Sequence, residues 1–383
     1  VIVLDACGVG ALPDADEYGD GGASTLAHVA EAVGGLRVPT LQRLGLGSIM
    51  ELRGVAPAAA PALHGRLHPL GPGKDSTAGH WELMGVVADA APPTYPDGVP
   101  VRLLERIEAV LGRSAICNAA YNGIDAIEDY GAEHLRTGSP ILYTSQDSVV
   151  QLAAHVDVIA PERLYAGCEA VRALLSGDDA VGRVIARPFA GTPGAFQRTD
   201  GRRDFALAPP SRSYMDDLRD AGVAVHAVGK VYDLFAGAGI DVAHAGASNA
   251  AAIAATSQLL EELEGGFIFT NLVETDQVYG HRKDVAGFHA ALQEIDAAVA
   301  RWLAALRPGD LLVLTADHGC DPLAPHSDHT REHAPLLAVF AGSQGRHDGP
   351  LADVGASALL WLTGARSHGL PGTPFVGAPT PDD

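Results

Sequence analysis

DLLVLTADHGCDPLAPHSDHTREH, residues 310 to 333, runs from an apolar strand straight into carboxylates and imidazoles. Leu311, Leu312, Val313 and Leu314 have strand character, and the run stops at Ala316-Asp317-His318-Gly319. A buried strand that ends this way delivers Asp317 and His318 to its carboxyl end, where open α/β sheets form their ligand crevices. His329 follows His318 by eleven residues, so a second imidazole can loop back to the same place. Mixed oxygen and nitrogen donors suit manganese, zinc or iron, whereas calcium and magnesium favour oxygen. The competing reading makes Asp317 a helix cap and leaves the histidines on a solvated loop.

Two further strands end in the same manner. Val1-Ile2-Val3-Leu4 stops on Asp5 and the turn Cys7-Gly8-Val9-Gly10. That turn lacks the third glycine and the helix start of a dinucleotide fingerprint. Phe267-Ile268-Phe269 leads through Thr270-Asn271-Leu272-Val273-Glu274-Thr275 to Asp276, with His281 five residues beyond. Three strands and one loop thus supply three carboxylates and three histidines, a number suited to two metals a few ångströms apart. Core packing does not account for this convergence, because an unpaired buried carboxylate is costly.

A fourth segment, GPGKDSTAGHWE from Gly71 to Glu82, reads as a loop turning into a helix. A hydroxyl at such a start, near Ser76, is placed for nucleophilic attack, since a helix N-terminus and a nearby metal both stabilise an alkoxide and an incoming phosphate. An ordinary N-cap is the alternative. Paired metals beside an alkoxide suit phosphoryl transfer.

Composition narrows the rest. With 26 basic and 47 acidic residues the net charge is −21, which disfavours nucleic acid and anionic membranes as partners. No obligate protein partner is evident. The 16 histidines are many for 383 residues and favour metal chemistry. Cys7, Cys117, Cys168 and Cys320 stand far apart with no CxxC, as expected of reduced thiols in a cytoplasmic protein. No run reaches the roughly 18 apolar residues of a membrane span. No signal peptide is recognisable, and the opening strand without a methionine leaves room for residues before Val1.

The length implies two domains or one large domain with an insertion. Ala91-Pro92-Pro93 and Ala208-Pro209-Pro210 read as a pair of hinges. The expected organisation is a metal and phosphotransfer core over residues 1–91 and 210–383, with an inserted cap domain over 92–209. Within the insertion a helix is expected through Val101, Leu104, Ile107 and Val110. Strands are expected at Ile141-Leu142-Tyr143, at Val149-Val150-Gln151-Leu152 and at Val184-Ile185-Ala186. Arg183, Arg187, Arg198, Arg202 and Arg203 cluster there in sequence, either as phosphate forks or as a solvated charged face. Outside the insertion, Ser24-Thr25 opens a helix through Leu26, Val29 and Val33, and residues 55–63 read as surface loop. A helix is expected around Tyr214 to Ala221, a strand at Val223-Ala224-Val225 and a helix from about Ala250 to Leu263. Phe288, Ala291, Leu292, Ile295, Val299, Trp302, Leu303 and Leu306 form a helical stripe that reads as core packing.

The strings VIVLD, GKDSTAGHWE, NLVETDQVYGHRKD and TADHGCDP…SDHTRE resemble the alkaline phosphatase superfamily and, more narrowly, its phosphopentomutase family. The likeness extends over nearly the whole chain and includes YTSQDSVVQLAAH and VGRVIARPF in the insertion. GHWE and DHGCDP are specific to that family, whereas DHG alone marks the superfamily.

The resemblance implies an α/β fold, an alkaline-phosphatase-like core with a mostly parallel central sheet flanked by helices, plus a smaller α+β cap. It implies interconversion of ribose or deoxyribose 1-phosphate and 5-phosphate through a phosphoserine enzyme and a sugar 1,5-bisphosphate. The alternatives are a manganese-dependent phosphomonoesterase and a mutase for another sugar phosphate; a non-catalytic sugar-phosphate sensor is a third class. By the same resemblance one metal falls to Asp5, Asp317 and His318 together with Ser76, and the second to Asp276, His281 and His329. Two Mn²⁺ are the expected cofactors, with Mg²⁺, Zn²⁺ or Co²⁺ as alternatives and a sugar bisphosphate as activator. The implied sugar-phosphate contacts are Ser145, Asp147, Arg183, Arg198 and Lys230, with Arg187 and Arg202 repeating the fifteen-residue spacing of the arginine pair. DSTAGH departs from the family's DT-x-TGH: serine at position 76 keeps the nucleophilic oxygen and loses the methyl that restricts its rotamer. Ala78 removes a second hydroxyl, Glu274 stands where aspartate is common, and Gln146 replaces a small residue.

Overall fold

Short apolar runs become the strands of the larger unit because parallel strands, covered on both faces, bury every side chain and not alternate ones. The computed structural model describes residues 1–90, 92–145 and 148–377. The chain divides into one unit of Val1–Ala90 with Pro209–Asp383 and a second of Ala91–Ala208.

The larger unit is built on an eight-stranded sheet. In spatial order its strands are Val242–His244, Val225–Val228, Phe267–Leu272, Ile2–Leu4, Leu312–Thr315, Ala334–Val339, Leu63–His68 and Gly349–Pro350. All run parallel except Ala334–Val339, which is antiparallel to both of its neighbours. The opening strand therefore lies between the two strands that lead to Asp276 and Asp317, and all three carboxyl ends point the same way. The long helix Val285–Ala305 buries Phe288, Ala291, Leu292, Ile295, Val299 and Trp302, the apolar stripe read from its spacing.

Three features differ from the sequence reading. The strand expected at residues 223–225 runs from Val225 to Val228, because its parallel register with Phe267–Leu272 begins at Val225 and Asp241 Oδ2 accepts from the Val225 N–H. The reversed strand Ala334–Val339 and the helix Asp353–Thr363 had no distinct signal. Leu63–His68 is a strand despite three polar residues, His64, Arg66 and His68.

The smaller unit holds a six-stranded sheet in the order Ile116–Ala120, Ile141–Thr144, Val149–His155, Arg183–Ala190 and Gln197–Arg198, with Arg203–Ala206 also paired to Arg183–Ala190. Alternation along the strands separates two cores. Leu142, Val150, Leu152, Val184 and Ala186 pack with Leu103 and Ile107 of the helix Val101–Leu111 and Leu164 and Val171 of Pro161–Leu174. Ile141, Tyr143, Ala153 and Phe189 pack on the other face with Ala126 and Ile127 of the helix Gly123–Thr137. Among the described residues no helix is long and apolar enough to cross a membrane.

Candidate metal centre

The hydroxyl-bearing loop enters the helix Ser76–Leu83 through Asp75, whose side chain accepts from the N–H groups of Thr77 and Ala78 at 2.9 and 3.1 Å. Asp75 is therefore the N-cap, and Ser76 is released from that role. Ser76 Oγ donates to His318 Nε2 at 3.1 Å, while His318 Nδ1 donates to the Gly319 carbonyl at 3.0 Å. The helix approaches the end of the Leu312–Thr315 strand closely: a Cβ on Gly79 would lie 2.4 Å from the Asp317 carbonyl oxygen. Glycine at 79 is thus a condition for bringing Ser76 to Asp317 and His318.

Asp5, Asp317 and His318, all buried, each turn a ligand atom into one cluster, and Asp276, His281 and His329 form another; within each, the atoms lie within 4.8 Å of one another. Asp276 and His281 meet because Thr275–Gly280 winds as a π-helical turn, with the His281 N–H donating to the Asp276 carbonyl. A π turn widens the helix by one residue and recurs at functional sites. The two clusters adjoin, with the rings of His318 and His329 4.0 Å apart and those of His329 and His281 4.7 Å apart.

Electrostatics in the protein alone is unbalanced. Burial, then Asp317 and Asp276, pushes the Asp5 carboxyl well up, with Lys230 and Asn271 opposing. Burial also disfavours the Asp276 anion, yet His329, His318 and His281 together bring that carboxyl down to about 2. At Asp317 burial is again outweighed, by His318 and His80, and the carboxyl is held low. Asp5 Oδ1, Asp276 Oδ1, Asp317 Oδ2 and His329 Nε2 are buried without a well-directed hydrogen bond among the described residues, although His329 Nε2 stands 3.2 Å from Asp276 Oδ1 and His80 Nδ1 3.1 Å from Asp317 Oδ2. Oxygen and nitrogen atoms left in this state, converging in two sets of three, fit divalent cations of the manganese or zinc type.

Residues without an assigned role in the sequence reading complete the centre. Asn271 donates to Asp5 Oδ2 at 2.9 Å and stands 3.2 Å from His80 Nε2, and His80 Nδ1 donates to the Ser76 carbonyl at 2.9 Å. A chain of hydrogen bonds thus joins a strand-end carboxylate to the first turn of the Ser76 helix. Glu332 accepts from the N–H groups of Gly10 and Thr25 and from the hydroxyls of Thr25 and Thr330, tying the loop after the first strand to the loop that carries His329. GHWE and SDHTRE contain His80 and Glu332, so both were visible as motif letters; Asn271 was visible only as a polar residue inside an apolar strand.

The remaining candidates belong to both units. Lys230 lies in the larger unit and acts on Asp5 through its charge. Ser145 follows the strand Ile141–Thr144 in the smaller unit, and Asp147, with Gln146, lies outside the described residues. Arg183 and Arg198 occupy opposite ends of one strand pairing: Arg183 is beside Val149, and Arg198 pairs with Phe189. Burial pushes the Tyr143 phenol up, and the charges of Arg187, Arg198 and Arg202 oppose it. Arg203, on the opposite face from Arg202, stacks on Tyr165 with its guanidinium 4.7 Å from the ring centroid.

Residues 1–363 match the sequence model of the Metalloenzyme superfamily, so the class is that of metal-dependent α/β enzymes. The chain is 48% identical over 364 residues to a phosphopentomutase of Caldanaerobacter subterraneus, covering 93% of this chain and 92% of the relative. It is 50% identical over 339 residues to the phosphopentomutase of Syntrophotalea carbinolica (88% and 86% covered) and 46% identical over 381 residues to that of an Anaeromyxobacter species (98% and 97% covered). The chain belongs to the phosphopentomutase family within that superfamily, and is a metal-dependent phosphomutase of the isomerase class. A solved structure of phosphoglycerate mutase from Leishmania mexicana superposes with a TM-score of 0.50 over 97% of this chain and 96% of its own; at 13% identity this shows a shared fold alone.

Proposed function

We propose that the protein interconverts ribose or deoxyribose 1-phosphate and 5-phosphate through a phosphoserine at Ser76 and a sugar 1,5-bisphosphate. The observation that carries the reading is the Ser76 hydroxyl at 3.1 Å from His318 Nε2, released from capping by Asp75 and facing buried donors. Asp5, Asp317, His318 and Ser76 would hold one divalent cation, and Asp276, His281 and His329 a second, both manganese in this reading. Such cations, when bound, supply positive charge that favours the serine alkoxide and neutralises phosphoryl oxygens.

The chain's own residues then have defined tasks. The phosphoryl group on Ser76 Oγ passes to the free hydroxyl of a sugar monophosphate: the P–O bond to serine breaks as the P–O bond to the sugar forms, giving the bisphosphate. The second phosphate of the bisphosphate returns to Ser76 Oγ, leaving the isomeric monophosphate. His80, bonded to the Ser76 carbonyl, and Asn271, bonded to Asp5, position nucleophile and carboxylate relative to each other. Residues 92–209 are assigned the part of a cap that retains the bisphosphate, with Ser145, Asp147, Arg183, Arg198 and Lys230 as sugar-phosphate contacts. A sugar bisphosphate serves as activator by phosphorylating Ser76.

Phosphorus NMR of the manganese-loaded enzyme supplied with ribose 1-phosphate and a bisphosphate activator tests the reading. Ribose 5-phosphate should accumulate with little inorganic phosphate. Release of inorganic phosphate as fast as isomerisation would replace the mutase with a phosphomonoesterase.

A further inference from the structure

The loop that leads to Ser76 is held by side chains and not by its own backbone. Among the described residues, the backbone of residues 70–74 makes no hydrogen bond to another backbone group. The buried Glu82 carboxylate instead accepts from the N–H groups of Leu70 and Gly71. Arg331 takes the opposite polarity: its Nη1 donates to the carbonyls of Gly71 and Gly73 at 2.9 and 2.8 Å. Backbone without ladder bonds needs such partners, because an unpaired buried N–H or C=O is costly. Gly71, which is buried, thus has its N–H and its carbonyl taken by two side chains of opposite charge.

Arg331 is only 6% exposed and is itself fixed. Its Nε and Nη2 fork on Asp14, with Nη2 2.9 Å from Oδ2, and its guanidinium lies over the Tyr18 ring, 4.8 Å from the centroid. Its backbone N–H donates to Asp20 Oδ2 at 2.8 Å. Asp20, also buried, accepts on that oxygen from Lys74 Nζ at 2.9 Å, and its Oδ1 stands 2.9 Å from His326 Nε2. Asp20 therefore joins its own loop, the loop that ends at Ser76 and the loop that carries His329. Charged groups so far from water persist only where they are paired. None of Asp14, Asp20, Lys74, Glu82 and Arg331 belongs to either ligand cluster, so the metal centre does not account for them.

We propose that Arg331 is a positioning residue for Ser76: with Glu82 and the Lys74–Asp20 pair it fixes the loop that sets the Ser76 hydroxyl against His318, and locks that loop to the one bearing His329. That Ser76 is the phosphorylated group rests on the function proposed above. The geometry calls for arginine in particular. Bridging two carbonyls while forking on a carboxylate takes a planar set of N–H donors, whereas a lysine ammonium is a point charge that serves one side of that gap. Gly71 and Gly73 give the loop no side chains with which to hold itself. Without the guanidinium the helix still starts, because Asp75 caps it, but its Ser76 end is no longer fixed against His318. A displacement of about 1 Å at a reacting group costs on the order of a hundredfold in rate.

Rapid-quench mass spectrometry of the manganese-loaded enzyme mixed with ribose 1,5-bisphosphate tests the proposal, with circular dichroism and manganese content measured on the same samples. Arg331→Met should slow phosphorylation of Ser76 about a hundredfold and Arg331→Lys about tenfold, with kcat falling in proportion and KM within about twofold of wild type. Lys74→Met, at a half-buried side chain, should slow it about three- to tenfold, the range of one hydrogen bond, and carries the test if neither Arg331 variant folds. Folded variants that phosphorylate Ser76 at the wild-type rate and lose only melting temperature would overturn the proposal and make Arg331 a stabiliser of the fold. Folded variants that lose manganese would overturn it as well, by assigning Arg331 to the His329 loop alone. Failure of the function proposed above shows separately, as absence of phosphate from Ser76 in the wild type.

Discussion

In the larger unit, carboxylates and imidazoles converge where parallel strands stop; in the smaller, arginines are spread along one strand and the hairpin that pairs with it. In the first cluster Asp5, Asp276, Asp317 and His318 are buried, His329 is half-buried and His281 is exposed. The second is built on long side chains whose heads reach solvent, around one fully buried phenol. The difference is one of tolerance. Short side chains on strand ends hold donor atoms to fractions of an ångström and leave them orphaned without a cation. Arginines on a hairpin carry their charge outward and can adapt to an anion. Chemistry that depends on distance needs an arrangement of the first kind.

The most severe way to break this contrast is to remove a strand-end ligand. Asp276→Ala or His329→Ala should lower turnover by at least about a thousandfold, since each deletes a donor of a centre that supplies most of the electrostatic stabilisation. Chelation should do the same reversibly, with Mn²⁺ restoring activity best in a metal-replacement assay. Undiminished turnover in metal-free protein would end the two-cation reading.

Next in size is the nucleophile. Ser76→Ala should be as inactive as the ligand variants, and Ser76→Thr should retain measurable turnover because the oxygen stays in place. Mass spectrometry after treatment with a sugar bisphosphate should find phosphate on Ser76; phosphate on Thr77 alone would transfer the role.

A smaller effect is expected from Gly79→Ala. The added Cβ meets the Asp317 backbone, which cannot rotate away, so the helix must back off. Overpacking of this kind costs about 1–3 kcal/mol, and unfolding in urea should show a loss in that range. Turnover should fall as well, with unchanged KM, because the displacement separates Ser76 from His318. A fully active, destabilised variant would assign Gly79 to packing only.

The smallest effect sharpens the contrast from the side of the smaller unit. Arg102 donates two bonds to Asp179 at 2.7 and 2.8 Å, and these bonds hold the Asp179 carboxyl below the usual range. A depressed folded-state value means the pair stabilises at pH above the ordinary carboxylate range and loses its effect as pH falls through the folded value. Arg102→Gln should therefore lower the melting temperature slightly at neutral pH, and the gap from wild type should close below about pH 4. A gap that persists in acid would mean that Arg102 acts through packing.

How far the chain could be read before folding depended on whether a feature was written locally. Asp317-His318 after LLVL, Asp5 after VIVL and Asp276 beyond FIF each needed only an apolar run that stops on a carboxylate. The family resemblance pointed to Ser76 itself, and a hydroxyl near Ser76 was legible from the helix start. The capping role of Asp75 was not, because either residue could cap and only the fold shows which side chain turns back. Asn271 was also hidden: it faces Asp5 from 266 residues away, because the two strands are neighbours in the sheet.

The arginines show the boundary most plainly. Composition alone established a basic group inside an acidic chain, and spacing alone offered two pairs of equal separation, 183 with 198 and 187 with 202. Strand pairing put Phe189 opposite Arg198 and Ala186 opposite Arg203, while Arg183 and Arg202 meet at Asp204. Arg183 is thereby about 20 Å along the strand from Arg198's partner, at about 3.3 Å per residue. Alternation turned Arg202 and Arg203 to opposite faces, the first to Asp204 and the second to Tyr165. Sequence by itself marked most of the strands, the carboxylates and imidazoles at their ends and a hydroxyl at a helix start, since each depends on neighbours a few residues away. Which donors meet across the sheet, and which arginines lie on the same face, belonged to the tertiary structure, because strand order and register are properties of the whole packed chain.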